Sequence, residues 1–176
     1  MKKVLLTVVV ILVVGGIGWL VISNRDSALP GETISQTQSQ KAPDFSLQDF
    51  AGKTVRLADF ENTPLVINSW AAWCPFCQKE LEDFALAQKE FGEQVVIIAV
   101  DRAESLQVAK AFTDELGVTN NLIFLLDPQD SFYQAIGGFS MPETIFVNKM
   151  GEIAFHKRGP MSLEEIRQRI QQLISQ

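Results

Sequence analysis

The chain is poor in cysteine and histidine, with two Cys and one His among 176 residues. Two cysteines cannot build a disulfide scaffold, and with one His they cannot complete a four-ligand structural zinc site without carboxylates. Basic charge is also scarce. Lys and Arg number 15 against 21 Asp and Glu, a formal charge of −6. That balance leaves no basic face for a nucleic-acid grip, so no nucleic-acid partner is expected. No strand–GxGxxG–helix fingerprint exists, and Gly137-Gly138 reads as a turn, not a phosphate cradle. No internal repeat is present. What the chain does have is 47% apolar and 20% charged residues, enough for a packed core.

Residues 4–22 form one apolar run without charge. At about 1.5 Å per residue the run reaches roughly 28 Å, close to a bilayer's hydrocarbon thickness of about 30 Å. Lys2 and Lys3 precede it, which orients the N-terminus to the cytoplasm and sends the rest across. The run exceeds the apolar stretch of a cleaved signal peptide. No A-x-A-like site follows in Ser23–Ala28, and no lipoprotein cysteine is present. Residues 1–22 are therefore expected to be an uncleaved anchor. Residues 23–41 carry little apolar surface and no period, the composition of a tether. Residues 42–176 remain as one domain of ordinary size. The domain is therefore expected outside the cytoplasmic membrane, on a single-pass helix.

Within the domain, strand and helix patterns alternate. Asp44–Phe50 and Lys53–Leu57 flank Ala51-Gly52 as a short hairpin. Pro64–Trp70 and Val95–Val100 read as buried strands, and Pro75–Phe91 as a helix with Leu81, Phe84, Ala85 and Phe91 on one face. Ser105–Leu116 is a second helix. Ile123–Leu126, Thr144–Val147 and Glu152–Lys157 are further strands, the last two split by a Met150-Gly151 turn. Ser162 and Glu165 form a capping box for a final helix that buries Leu163, Ile166, Ile170 and Leu173. The class is α/β, with a mixed central sheet flanked by helices.

The chemistry lies in Trp73-Cys74-Pro75-Phe76-Cys77, between an apolar strand and a helix. Unpaired N–H groups at a helix start favour a thiolate at Cys74, and Pro75 suits the first helical position. Cys77 falls about one turn later, within reach of a mixed disulfide formed on Cys74. Cys74 is thus expected to be the exposed nucleophile and Cys77 the shielded resolving thiol. Inert core cysteines or a partial metal site are the competing readings, and the metal reading lacks nearby ligands.

Trp70-Ala71-Ala72-Trp73-Cys74-Pro75-Phe76-Cys77 resembles the active-site stretch of membrane-anchored thioredoxin-like thiol reductases of the TlpA and DsbE type, within the redoxin superfamily. The resemblance extends from Ala42 to the C-terminus, through Ala42–Leu47, Met141-Pro142-Glu143-Thr144 and His156–Pro160. It implies a thioredoxin fold with an extra N-terminal hairpin and a cis Met141–Pro142 bond facing the cysteines. Pro75 and the Pro-Glu-Thr segment are most like the DsbE branch, which supplies reductant for cytochrome c maturation. The chain departs from the family at Glu82, where many relatives have a kink-forming Pro. At Asn68 it has the residue common in TlpA-type relatives, where thioredoxin has a buried Asp.

An acid must then come from elsewhere, and Glu80 is the candidate. It lies three residues after Cys77, on the same helical face, and the family often has Glu there. The competing reading is an exposed helix acid. Trp73 is expected at the rim of the disulfide, while Met141, Pro142 and Glu143 are expected to meet the partner; Glu143 could equally be a loop acid. His156 is expected to face solvent. The resulting expectation is a dithiol–disulfide oxidoreductase that reduces protein disulfides, apocytochrome c among them. No cofactor is required, and the resemblance suggests a membrane electron donor of the DsbD or CcdA type. The alternatives are an envelope oxidant or isomerase, a peroxiredoxin, which would need a Cys framed by Thr and Arg, and a thiol metallochaperone.

Overall fold

The computed structural model describes residues 40–176. The expected anchor at 1–22 and nearly all of the expected tether at 23–41 lie outside the described residues. Strand β1 (Ser46–Asp49) and strand β2 (Thr54–Arg56) form the expected hairpin. Its turn needs a left-handed residue, supplied by Gly52 at φ 82°, and Asp49 Oδ1 accepts the N–H groups of Ala51 and Lys53.

Strand β3 (Leu65–Trp70) is buried at all six positions, so both of its faces must be covered. It runs parallel to β4 (Val96–Arg102), which runs parallel to β5 (Ile123–Asp127). The rest is antiparallel: β6 (Glu143–Val147) on β3, β7 (Ile153–Arg158) on β6, and β1 on β5. The order β2-β1-β5-β4-β3-β6-β7 makes one mixed seven-stranded sheet with β2 and β7 at its edges.

Alternation along β3 divides the core. Leu65 and Ile67 join Ile98, Val100, Leu125, Ile145 and Val147 on one face, under Phe45, Leu47 and Val55 from the hairpin region and Phe132. Val66, Ile97 and Phe146 face α1 (Cys77–Phe91) and α4 (Leu163–Ile174) through Phe84, Phe91, Ile166 and Ile170. Trp70, Ala99 and Phe124 pack with Leu81 and Ala85 of α1 and Ala109 of α2 (Leu106–Glu115). Trp70 stacks on Phe112 at 5.6 Å and meets Phe124 edge-on at 5.8 Å. Each such pair contributes roughly 0.5–1.5 kcal/mol beyond its buried area. The same cluster encloses both cysteines.

Three local features differ from the sequence expectation. A short helix α3 (Ser131–Ala135) follows β5, started by Asp127, whose carboxylate accepts the Phe132 N–H at 2.7 Å and the Ser131 hydroxyl at 2.8 Å. Helix α1 begins at Cys77 and not at Pro75, because Cys74–Phe76 form a tight turn closed by the Cys77 N–H on the Cys74 carbonyl at 3.2 Å. At α4, Ser162 Oγ accepts the Glu165 N–H at 3.3 Å, but Glu165 bonds Lys157 Nζ at 2.8 Å in place of closing a box. Leu163 at that start is half-buried.

Candidate active site: a buried disulfide beside a buried carboxyl

β3 delivers Trp70 and Ala71 to the interior, and the chain then turns sharply, with the Cys74 N–H on the Ala71 carbonyl at 3.1 Å. Cys74 and Cys77 are joined as a disulfide, with Cα atoms 5.4 Å apart. Both are buried in this oxidised form, at 2% and 0% exposure. Cys74 is therefore not the exposed residue that its sequence position suggested. The turn folds its side chain inward among Trp70, Leu81 and Ala85, while Trp73 and Phe76 stand outside at 62% and 59% exposure. The Met141–Pro142 bond is cis, as the resemblance implied, and Met141 packs against the cluster that holds both cysteines. Pro142 is buried, and its carbonyl accepts the Gly159 N–H at 2.9 Å.

Glu80 is buried, at 1% exposure, and so is not the exposed helix acid of the competing reading. Its Oε2 accepts from Asn68 Nδ2 at 2.9 Å and its Oε1 accepts the Met161 N–H at 2.8 Å. Asn68 Nδ2 also donates to Thr144 Oγ1 at 2.9 Å, and its Oδ1 is buried without a partner. Burial is the largest influence on Glu80. It outweighs both hydrogen bonds and pushes the pKa up to about 8. Glu80 is thus a buried carboxyl with a raised pKa on the first turn of the helix that begins at Cys77.

Glu143 lies on the opposite sheet face, in register with Ser69, and is also fully buried. Its Oε2 accepts the N–H groups of Phe139 and Ser140 at 2.8 and 2.9 Å, so the carboxylate turns inward and pins the loop before Pro142. Its Oε1 lies 2.6 Å from His156 Nε2 and 3.3 Å from Arg158 Nε. His156 is thus half-buried against an acid and does not stand free in solvent; a strand period alone could not show that Glu143 faces it. Burial raises the Glu143 pKa, but the two backbone donors and His156 outweigh it and hold the carboxyl below its ordinary range. Stability from this depressed pKa is present above the unfolded value and is lost as pH falls through the folded one. Glu143→Ala, which orphans two N–H groups, is expected to cost about 2–4 kcal/mol at pH 7. Urea unfolding at pH 7 and pH 3 checks this: the gap between wild type and variant should shrink in acid.

An α/β sheet that holds a Cys-x-x-Cys disulfide at a strand-to-helix turn, facing a cis-proline loop, defines a thiol-disulfide oxidoreductase of thioredoxin-like fold. The chain belongs to the AhpC/TSA family, which it matches over residues 39–156. It is 28% identical over 176 residues to the thiol-disulfide oxidoreductase ResA of Geobacillus thermodenitrificans, covering 98% of this chain and 96% of that protein. ResA of Bacillus subtilis is 32% identical over 132 residues, covering 74% of this chain and 72% of its own. Among solved structures, the exposed lipoprotein thioredoxin Etrx1 of Streptococcus pneumoniae aligns with a TM-score of 0.64 and 29% identity, over 74% of this chain and 100% of that one. Among the described residues, no three His, Cys, Asp or Glu side chains are grouped to hold a metal ion, and no helix is long and apolar enough to cross a membrane.

Proposed function

We propose that this oxidoreductase works as a protein-disulfide reductase on the outer face of a bacterial cytoplasmic membrane, held there by residues 1–22 and a tether at 23–41. The reduced Cys74 thiolate attacks one sulfur of a partner disulfide and releases the other as a thiolate. Cys77 then gives its proton to Glu80, in the ionised fraction that a pKa of about 8 leaves near neutral pH, and attacks the Cys74 sulfur, expelling the partner's remaining thiolate. Two electrons pass to the partner, whose two thiolates take up protons from solvent to give the dithiol, and the Cys74–Cys77 disulfide is restored. A donor dithiol in the membrane, of the DsbD or CcdA type, reverses these steps. In that direction the neutral Glu80 carboxyl returns its proton to the leaving Cys77. The observation that carries this reading is the Cys74–Cys77 disulfide at the start of α1, with Glu80 buried on the first turn of the same helix.

Exposed Trp73 and half-buried Met141 provide the surface for an extended substrate, with buried Pro142 fixing the backbone between them and β6. Glu143 acts from below by fixing the loop that presents them. Backbone pairing at Met141 would tolerate many sequences, as strand addition does elsewhere. A tethered acidic domain meets membrane-bound assembly partners at raised effective concentration. The tether, with the likeness of Pro75 and Met141-Pro142-Glu143-Thr144 to the DsbE branch, favours the C-x-x-C-H disulfide of apocytochrome c as substrate before haem attachment. Trapping tests this reading. Cys77→Ser cannot resolve, so in cells it should hold apocytochrome c on Cys74 as a mixed disulfide. Capture of many unrelated envelope proteins would leave a general reductase. A wild-type pair found largely oxidised at steady state would point to an oxidant.

A further inference from the structure

The junction between β4 and α2 holds two carboxyl groups that the exchange steps above do not use. Asp101, next to last in β4, is fully buried and lies in register with Trp70 of β3 and Leu126 of β5. Ala103 follows at φ 55°, a left-handed conformation that costs a non-glycine residue about 1 kcal/mol or more. Beyond this turn, Glu104 Oε2 accepts the N–H of Ala72 at 2.6 Å, and the Glu104 N–H donates to Asp101 Oδ1 at 3.3 Å.

That acceptor meets a specific need. The turn before the disulfide uses the Ala71 carbonyl and the Cys74 N–H for its own closure, which leaves the Ala72 N–H spare. Asp101 Oδ2 is buried without a donor, and the Glu104 carboxyl lies within hydrogen-bonding reach of the Asp101 side chain. A buried carboxylate oxygen without a donor is costly unless its group carries a proton. Burial, reinforced by Glu104, raises the Asp101 pKa well above the carboxylate range, in agreement with a protonated group there.

We propose that Asp101 and Glu104 form a latch that grips the Ala72 amide and so positions the turn carrying Cys74 for thiol exchange. Both are positioning residues, since neither touches a reacting sulfur. The inference rests on the reading of Cys74 as nucleophile, and the test separates the two.

The full-length reduced chain is alkylated with iodoacetamide at pH 7, and modification at each cysteine is followed by mass spectrometry. Glu104→Ala should slow Cys74 alkylation about tenfold, the effect of one lost hydrogen bond of ordinary strength. Glu104→Gln keeps an oxygen for Ala72 and an amide for Asp101, and should restore the rate to within about twofold. Asp101→Ala and the double variant should match Glu104→Ala and fall no further, because residues of one latch do not add. In the wild type, the Ala72 amide should exchange its hydrogen slowly, a measurement that needs no variant. A wild-type rate in Glu104→Ala, a Gln variant as slow as Ala, additive losses, or fast exchange at Ala72 would each overturn the latch. Alkylation of wild type mainly at Cys77 would overturn the nucleophile assignment instead, and Ala72 exchange would still decide the latch.

Discussion

Cys74→Ser should lose thiol exchange by about a thousandfold or more, whereas Cys77→Ser should keep the first half of the reaction and stall after it. The difference follows from the division of labour between the two sulfurs. A serine hydroxyl stays protonated near neutral pH and is no substitute for a thiolate nucleophile, and losing a nucleophile removes the whole covalent route. Insulin reduction with a chemical reductant as electron source measures the first variant. Stoichiometric mixed disulfide with a model peptide measures the second. Both cysteines are buried in the oxidised form, so the attacking sulfur must become accessible on reduction or on partner contact. Exposed Trp73 and Phe76 are where a partner would first touch the turn. Comparable exchange by the two serine variants would defeat the assignment of roles.

Glu80→Gln should slow exchange about a hundredfold near neutral pH, at the low end of what a positioned acid–base group supplies. It should also change the pH dependence of stability of the oxidised protein. The folded pKa of about 8 lies above the ordinary 4.5, so the native state binds the proton more tightly than the unfolded chain. Wild-type stability from this group is therefore full below about pH 4.5 and declines as pH rises toward 8. The decline is bounded by about 5 kcal/mol, and the Gln variant should lack it.

The site can accommodate the amide. If Asn68 rotates its carboxamide by half a turn, Oδ1 accepts from Gln at position 80 and from the Thr144 hydroxyl, and Nδ2 takes the buried position that the unpartnered oxygen now holds. Urea unfolding of both proteins between pH 5 and 9 measures the slope. Parallel curves and an unchanged exchange rate would reduce Glu80 to a packing residue.

The parts of this molecule that the sequence revealed are those with local causes. The β1–β2 hairpin was marked by Ala51-Gly52, β3 by its apolar run, and the motif by two cysteines between a strand and a helix. What stayed hidden depends on partners far away along the chain. Glu80 could be placed on the right helical face from its spacing. Its burial, however, depends on Met161, 81 residues on, and on Asn68, itself bonded to Thr144 across 76 residues. Glu143 and His156 looked unrelated until β6 and β7 paired. Asp101 and Glu104 gave no signal at all, because the group they serve is an ordinary backbone N–H at Ala72. Short α3 was missed because one carboxylate, Asp127, starts it without any hydrophobic period.

The two ends of the sheet bear on colloidal behaviour. An open strand edge is a template for joining molecules into aggregates, and this sheet has two. At one, β2 offers only three residues, too few for a stable ladder with another chain. At the other, Gln40 and Ala42 already pair with the start of β7, through the Ile153 N–H on the Gln40 carbonyl at 2.8 Å and the Ala42 N–H on the Gly151 carbonyl at 3.0 Å, which shortens the open stretch. Arg169 also lies over the Phe155 ring at 3.7 Å and covers its apolar face. Copies crowded at high surface density should therefore remain separate molecules, each with Trp73 and Phe76 free to meet a partner.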